Sequence, residues 1–256
     1  MIKTISFIGS GNVATQFAKA FHAEGISIVQ ILSKHIDLAN DLAIQVSAKP
    51  ISAINNLDLS VDLIIIAVND DFIEEIANSL NIKGIVIHTS GTTNIDVLKS
   101  CSNDIGVSWP IKSIKKEHSI DFADVSCCIE SSNTKTKNKL IDLFSKISNK
   151  VVHLNSKQRE YLHMSAVFTN NFSNYFYGVA EEITGENDID FSILKGLITE
   201  STNRLDSFSP KEMQTGPAIR NDKKVIKKHL KLLENNPEHY NLYKFVSESI
   251  INKYHG

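Results

Sequence analysis

Residues 2–14 read IKTISFIGSGNVA. The apolar run ends at Gly9, and Val13, Phe17, Ala18 and Phe21 then recur at helical spacing, so a strand, a glycine turn and a helix follow one another. Gly9 permits the tight turn, Gly11 has no side chain to hold a ligand off the backbone, and Ala14 lets the helix approach the strand. Ser10, Asn12 and Val13 complete the turn, where the first helical N–H groups and their partial positive charge face any bound anion. In this context G-x-G-x-x-A reads as a cradle for the diphosphate of a dinucleotide.

Moving outward, residues 26–32 form a second strand, ending at Ser33-Lys34-His35. An NAD site normally has an acid about 20 residues beyond the glycines, to bind the ribose hydroxyls. None stands here, and Asp37 lies too far on. Ser33 and Lys34 instead offer a hydroxyl and an ammonium that favour a 2′-phosphate, so the expected cofactor is NADP. The same absence counts against S-adenosylmethionine. Residues 62–68, DLIIIAV, are apolar enough for a strand buried on both faces. The segments after this and later strands should open onto the cofactor: Val68 and Asn69, then His88, Ser90 and Gly91, with Trp109-Pro110 as a wall. Asp70 and Asp71 read as helix caps.

Strand and helix patterns alternate to about residue 155 and are followed by helical periodicity over 162–183, 191–205, 223–233 and 240–254. The fold class is therefore α/β, a Rossmann doubly wound parallel sheet followed by an all-α C-terminal domain, with domains 1–155 and 156–256. On the first long helix of the second domain, His163, Val167, Asn170 and Asn174 recur at i, i+4, i+7 and i+11, with Asn171 alongside. So polar a stripe on an apolar helix needs partners: either neighbouring helices or a ligand. Arg220, in QTGPAIRND, is suited to a carboxylate or phosphate, or to pairing with Asp222 or Glu200.

The chain of 256 residues is 42% hydrophobic and 22% charged, with a formal charge of −2. That composition fits a two-domain globular protein and gives no general attraction to nucleic acid or anionic membranes. The basic run 223–231 reads as a solvated helix face. No apolar stretch is long enough to span a membrane, the N-terminus has no targeting character, and the protein is expected in the cytoplasm. Cys101, Cys127 and Cys128 lack zinc-site spacing, and Cys127 and Cys128 lie in an apolar run as strand packing.

GSGNVA, HTSG, LHMSAVFTNNFSN and QTGPAIRND together resemble a group of bacterial Rossmann-like proteins of unassigned function, named as NADP oxidoreductases, over nearly the whole chain. Broader relatives are pyrroline-5-carboxylate reductase, the β-hydroxyacid dehydrogenases and deazaflavin-dependent NADP reductases. The resemblance implies an NADP domain, a C-terminal domain like that of 6-phosphogluconate dehydrogenase, and a homodimer built through its helices. The hydroxyacid dehydrogenases carry a catalytic lysine one turn before an asparagine, whereas this chain has Ala166 and Val167 there. That mechanism does not carry over, and His163, of the residue type that exchanges protons near neutral pH, is the nearest substitute. The resulting expectation is hydride transfer between NADPH and a small carbonyl or imine, with His163 donating the proton, Asn170, Asn171 and Asn174 orienting, and Arg220 binding a substrate anion. The alternative is a non-catalytic NADP-binding sensor.

Overall fold

The computed structural model describes residues 1–115 and 120–256. The elements run β1 (Thr4–Ile8), α1 (Asn12–Ala23), β2 (Ser27–Leu32), α2 (Ile36–Gln45), β3 (Lys49–Ile51), β4 (Leu63–Ile66), α3 (Ile73–Asn78), β5 (Ile85–His88) and β6 (Ile105–Pro110). They continue with β7 (Cys127–Ser131), α4 (Thr134–Phe144), β8 (Val151–His153) and α5 (Ser156–Ala166). A π-helical stretch, Val167–Phe172, then leads into α6 (Ser173–Gly185). Last come α7 (Lys195–Asn203), α8 (Pro210–Met213), α9 (Lys223–Leu232) and α10 (Pro237–His255).

Among the described residues, eight strands form one sheet in the order β3-β2-β1-β4-β5-β6-β7-β8. Strand order reverses between β1 and β4, which creates a crevice at the carboxyl ends of the strands. The sheet is mostly parallel; β7 runs antiparallel to β6. A parallel return needs a crossover helix, and the described part of this connection holds only the short turn Phe122–Asp124. The short strand β3 is one that periodicity missed, three residues long with a proline in the middle.

Two apolar layers cover the sheet's faces. On one, Phe17 and Phe21 of α1 meet Phe144 of α4 at ring separations of 5.4 and 5.2 Å. On the other, Ile73 and Ala77 of α3 lie against Ile64, Ile66 and Val86. Each fully buried side chain of this size contributes about 1.5–3 kcal/mol, which is why DLIIIAV forms a central strand.

The chain divides into two compact units, Met1–Thr169 and Asn170–Gly256. The division falls within the π-helical stretch, later than the expected boundary at residue 155. The reason is that α5 is tied into the sheet unit by its buried Arg159. In the second unit, Asn236 caps α10, Asp222 caps α9, and a reciprocal Ser209–Glu212 box starts α8. Glu182 of α6 pairs with His239 of α10 at 3.2 Å, and Tyr175 donates to Glu238 at 2.7 Å. Ala218 is its one buried apolar residue among the described residues, while Ile193, Leu197 and Phe245 are 72, 62 and 70% exposed. No helix of the described residues is long and apolar enough to cross a membrane.

Candidate functional site

The glycine turn is built as its sequence requires. Gly9 has φ +114°, and a Cβ placed there would lie 2.1 Å from the Ala67 carbonyl oxygen, so no other residue fits. Gly11 is different: among the described residues a Cβ there would meet nothing within 4 Å and would project into open space. Among the described residues no side chain caps α1, and no acid stands in its first turn. An open cradle at an uncapped, carboxylate-free helix start is what a diphosphate needs, and Gly9, Ser10, Gly11, Asn12 and Val13 are the residues that would hold it.

Beside the turn, Ser10 donates its hydroxyl hydrogen to Ser33 Oγ at 3.0 Å, linking the ends of β1 and β2. Lys34 is exposed, and its ammonium lies 5.1 Å from the centre of the Phe72 ring, held by a cation–π contact. The end of β2 thus presents hydroxyls and a cation with no carboxylate in the immediate sequence, as a phosphorylated ribose would require.

The next two loops are bound to each other. Asp70, read from the sequence as a helix cap, accepts from Ser90 Oγ at 2.5 Å and from Thr92 Oγ1 at 2.9 Å. Ser90 Oγ, expected beside the cofactor, also accepts the amides of Thr92 and Thr93 at 3.1 and 2.9 Å, so this hydroxyl is engaged within the loop. His88, also expected beside the cofactor, is engaged in the same loop. Its ring is fully buried, and Nδ1 accepts the Ser90 amide at 3.2 Å, so the side chain holds the loop from beneath. Burial, and then the nearby Arg159 cation, push its pKa down to about 3 against the opposing pull of Asp70 and the Asn94 backbone. Val68 and Asn69 are less enclosed, at the lip of the crevice.

Gly91, Trp109 and His163 come together within the first unit. The His163 ring lies 5.3 Å from the indole, tilted at 48°. A Cβ on Gly91 would stand 2.5 Å from His163 Cδ2 and 3.0 Å from Trp109 Cε2, so only glycine leaves room for both rings. Among the described residues, neither ring nitrogen of His163 has a hydrogen-bond partner, leaving a half-buried imidazole able to pass a proton to a bound molecule.

A buried ion pair that sequence reasoning missed supports this cluster. Arg159, fully buried, donates to Glu130 Oε2 from Nε and Nη2 at 3.2 and 3.0 Å. It also donates to the carbonyls of Ser90 and Thr93 at 3.1 and 2.7 Å. Ser156 donates to the other Glu130 oxygen at 2.7 Å. The available signal was Glu130 itself, a carboxylate inside a strand of otherwise buried residues, which must find a cation.

Asn170, Asn171 and Asn174 are exposed residues of the second unit. The stripe that joined them to His163 assumed a regular helix, but Val167–Phe172 is π-helical, so the 3.6-residue spacing does not run through it. Arg220 is exposed, and among the described residues it pairs with neither expected carboxylate. Asp222 caps α9 through the Val225 amide at 3.1 Å, and Glu200 faces Arg204 at 3.9 Å.

Other features carry no such chemistry. Burial pushes the thiols of Cys101, Cys127 and Cys128 up to about 11, so none is a ready nucleophile. No metal-ligating group is found among the described residues. A hollow of about 650 Å³ lined by Lys83, Lys135, Lys139, Asp62 and Asp104 lies at the amino ends of β4 and β5, the edge opposite the glycine turn.

Two family models match the chain. Residues 4–91 match one described as NADP oxidoreductase, coenzyme F420-dependent, and residues 125–250 match one described as a domain of unknown function, DUF2520. A Bacteroides fragilis protein named as an NADP oxidoreductase is 32% identical, with 98% of each chain covered and a TM-score of 0.87. A pyrroline-5-carboxylate reductase from Coxiella burnetii shares the fold at 16% identity, covering 99% of this chain and 97% of its own, with a TM-score of 0.61. An imine reductase from Myxococcus stipitatus does so at 13% identity, covering 99% and 96%, with a TM-score of 0.65. No protein of curated function matches the chain.

Proposed function

Since the chain belongs to the family of NADP oxidoreductases represented by the Bacteroides fragilis protein, we propose that it is an NADPH-dependent reductase of a small carbonyl or imine compound. The coenzyme supplies the hydride, so the protein's tasks are to orient the substrate, exclude water and deliver one proton. His163 delivers that proton. Its ring nitrogens are uncommitted among the described residues, and Trp109 and the bare backbone of Gly91 fix its ring. The imine preference draws on the printed names of the pyrroline-5-carboxylate and imine reductases that share the fold.

Asn170, Asn171 and Asn174 bind polar atoms of the substrate in this reading, and Arg220, which has no carboxylate partner among the described residues, binds an anionic group. The exposed apolar side chains of the second unit, Ile193, Leu197 and Phe245 among them, are covered by a second copy of the chain, giving a homodimer. The enzyme works in the cytoplasm.

One observation carries the proposal: an imidazole packed on an indole beside a glycine that admits it, in the unit that holds the diphosphate cradle. The experiment follows NADPH absorbance with a panel of cyclic imines, ketoacids and aldehydes. His163→Ala should abolish turnover and leave the NADPH dissociation constant within about threefold, since it removes a contact made only in the transition state. Unchanged turnover would remove His163 from the mechanism. Tight NADPH binding with no turnover on any class would favour the sensor, for which the missing lysine at Ala166 or Val167 already speaks.

A further inference from the structure

Arg159 and His163 lie one turn apart on α5, and they meet the same loop from two sides. Arg159 holds the carbonyls on either side of Thr92, those of Ser90 and Thr93, while His163 packs on Gly91 between the first of them and Thr92. Asp70 ties the loop to the end of β4 through Ser90 and Thr92. Glu130 fixes the guanidinium from β7, and Ser156, at the start of α5, fixes Glu130. A buried ion pair of this kind is often no more stabilising than apolar residues of the same shape, so its value lies in geometry. A planar fork has donors in fixed directions, enough to reach one carboxylate and two carbonyls at once.

We propose that Arg159, held in register by Glu130, is a positioning residue that sets the His163 ring against Gly91 and Trp109. The inference rests on the reading of His163 as proton donor for its relevance to catalysis, but the positioning itself is a property of the folded chain. Without the clamp, the loop keeps its Asp70 anchor and the His88 contact beneath it, but loses its link to α5 through the Ser90 and Thr93 carbonyls.

Trp109 is the chain's single tryptophan, so its emission reports this cluster alone. An imidazole in contact quenches an indole, and His163→Gln should therefore raise the emission. Arg159→Lys and Glu130→Gln, which alter neither ring, should raise it by most of the same amount, measured well below their unfolding temperatures without coenzyme. In the NADPH assay the same variants should lose about 10²-fold in kcat with KM within about threefold, the order of loss that a displacement of about 1 Å produces. A merely structural role would lower the unfolding temperature and move neither readout. Folded variants that keep wild-type emission would overturn the inference, and if Arg159→Lys fails to fold, Glu130→Gln decides it. If wild-type protein turns over no substrate, the reductase reading fails while the emission result still decides the positioning.

Discussion

The two units handle their apolar residues in opposite ways. In Met1–Thr169 the large aromatic side chains Phe7, Phe17, Phe21 and Phe144 are fully buried, whereas in Asn170–Gly256 Phe208, Phe245, Ile193 and Leu197 are all more than half exposed. In the second unit, side-chain pairs such as Glu182–His239 and Tyr175–Glu238 have Glu182 and Tyr175 exposed, and pairs open to water contribute little. A sheet covered on both faces closes its own core. A few helices with outward apolar faces do not, and the proposed second copy is what would close theirs.

The contrast can be broken by paired truncations. Phe17→Ala should cost about 3–5 kcal/mol in urea unfolding, because it empties a site packed by Phe21, Phe122 and Phe144. Ile193→Ala should cost under about 0.5 kcal/mol at concentrations where the chain is a monomer. Equal costs would mean that the second unit has a closed core of its own. Ile193→Asp sharpens the same contrast by sedimentation, where the dimer dissociation constant should rise by about 10²-fold, or about 3 kcal/mol. A chain that sediments as a monomer throughout would end the dimer proposal.

Acid should also distinguish the sheet unit. Burial holds the His88 pKa near 3 in the fold, while the unfolded chain takes up the proton near 6.5. The contribution is complete above pH 6.5 and is lost progressively as pH falls toward 3, at a limiting slope of about 1.4 kcal/mol per pH unit. His88→Asn should flatten that part of the stability profile, whatever its effect at neutral pH. An unaltered slope would mean that other groups govern the acid response.

The smallest effect on the fold, and the most selective one on binding, belongs to Gly11. Its added methyl would meet no atom of the described residues within 4 Å, so Gly11→Ala should leave the unfolding midpoint nearly unchanged. The methyl would stand where the diphosphate belongs, and NADPH affinity should fall by about tenfold or more, or about 1.4 kcal/mol. Wild-type affinity in this variant would move the cradle elsewhere.

How much of this was legible in the sequence depends on whether the cause is local. GSGNVA and DLIIIAV declare themselves because turn sterics and two-sided burial act on consecutive residues. The antiparallel pairing of β7 with β6 joins residues about 20 apart, and β3 rests on pairing with β2 over only three residues. In the site, Gly91 and Trp109 could be read from their positions at strand ends. The Arg159–Glu130 pair joins residues 29 apart, and Asp70–Ser90 joins residues 20 apart, so no local window contains either. Position at a strand end places His88 and Ser90 beside the crevice, but the loop contacts of their side chains come from residues that no strand pattern joins to them. The regular spacing expected from His163 to Asn174 is interrupted by the π-helical stretch Val167–Phe172, which periodicity does not anticipate.

The most direct test is a calorimetric titration of wild-type and Lys34→Ala protein with NADPH and with NADH. The Gly9–Gly11 cradle beside Ser33 and Lys34 should bind NADPH at least about tenfold more tightly than NADH, and the alanine variant should lose most of that preference. Equal affinity for the two coenzymes, or binding of neither, would contradict it.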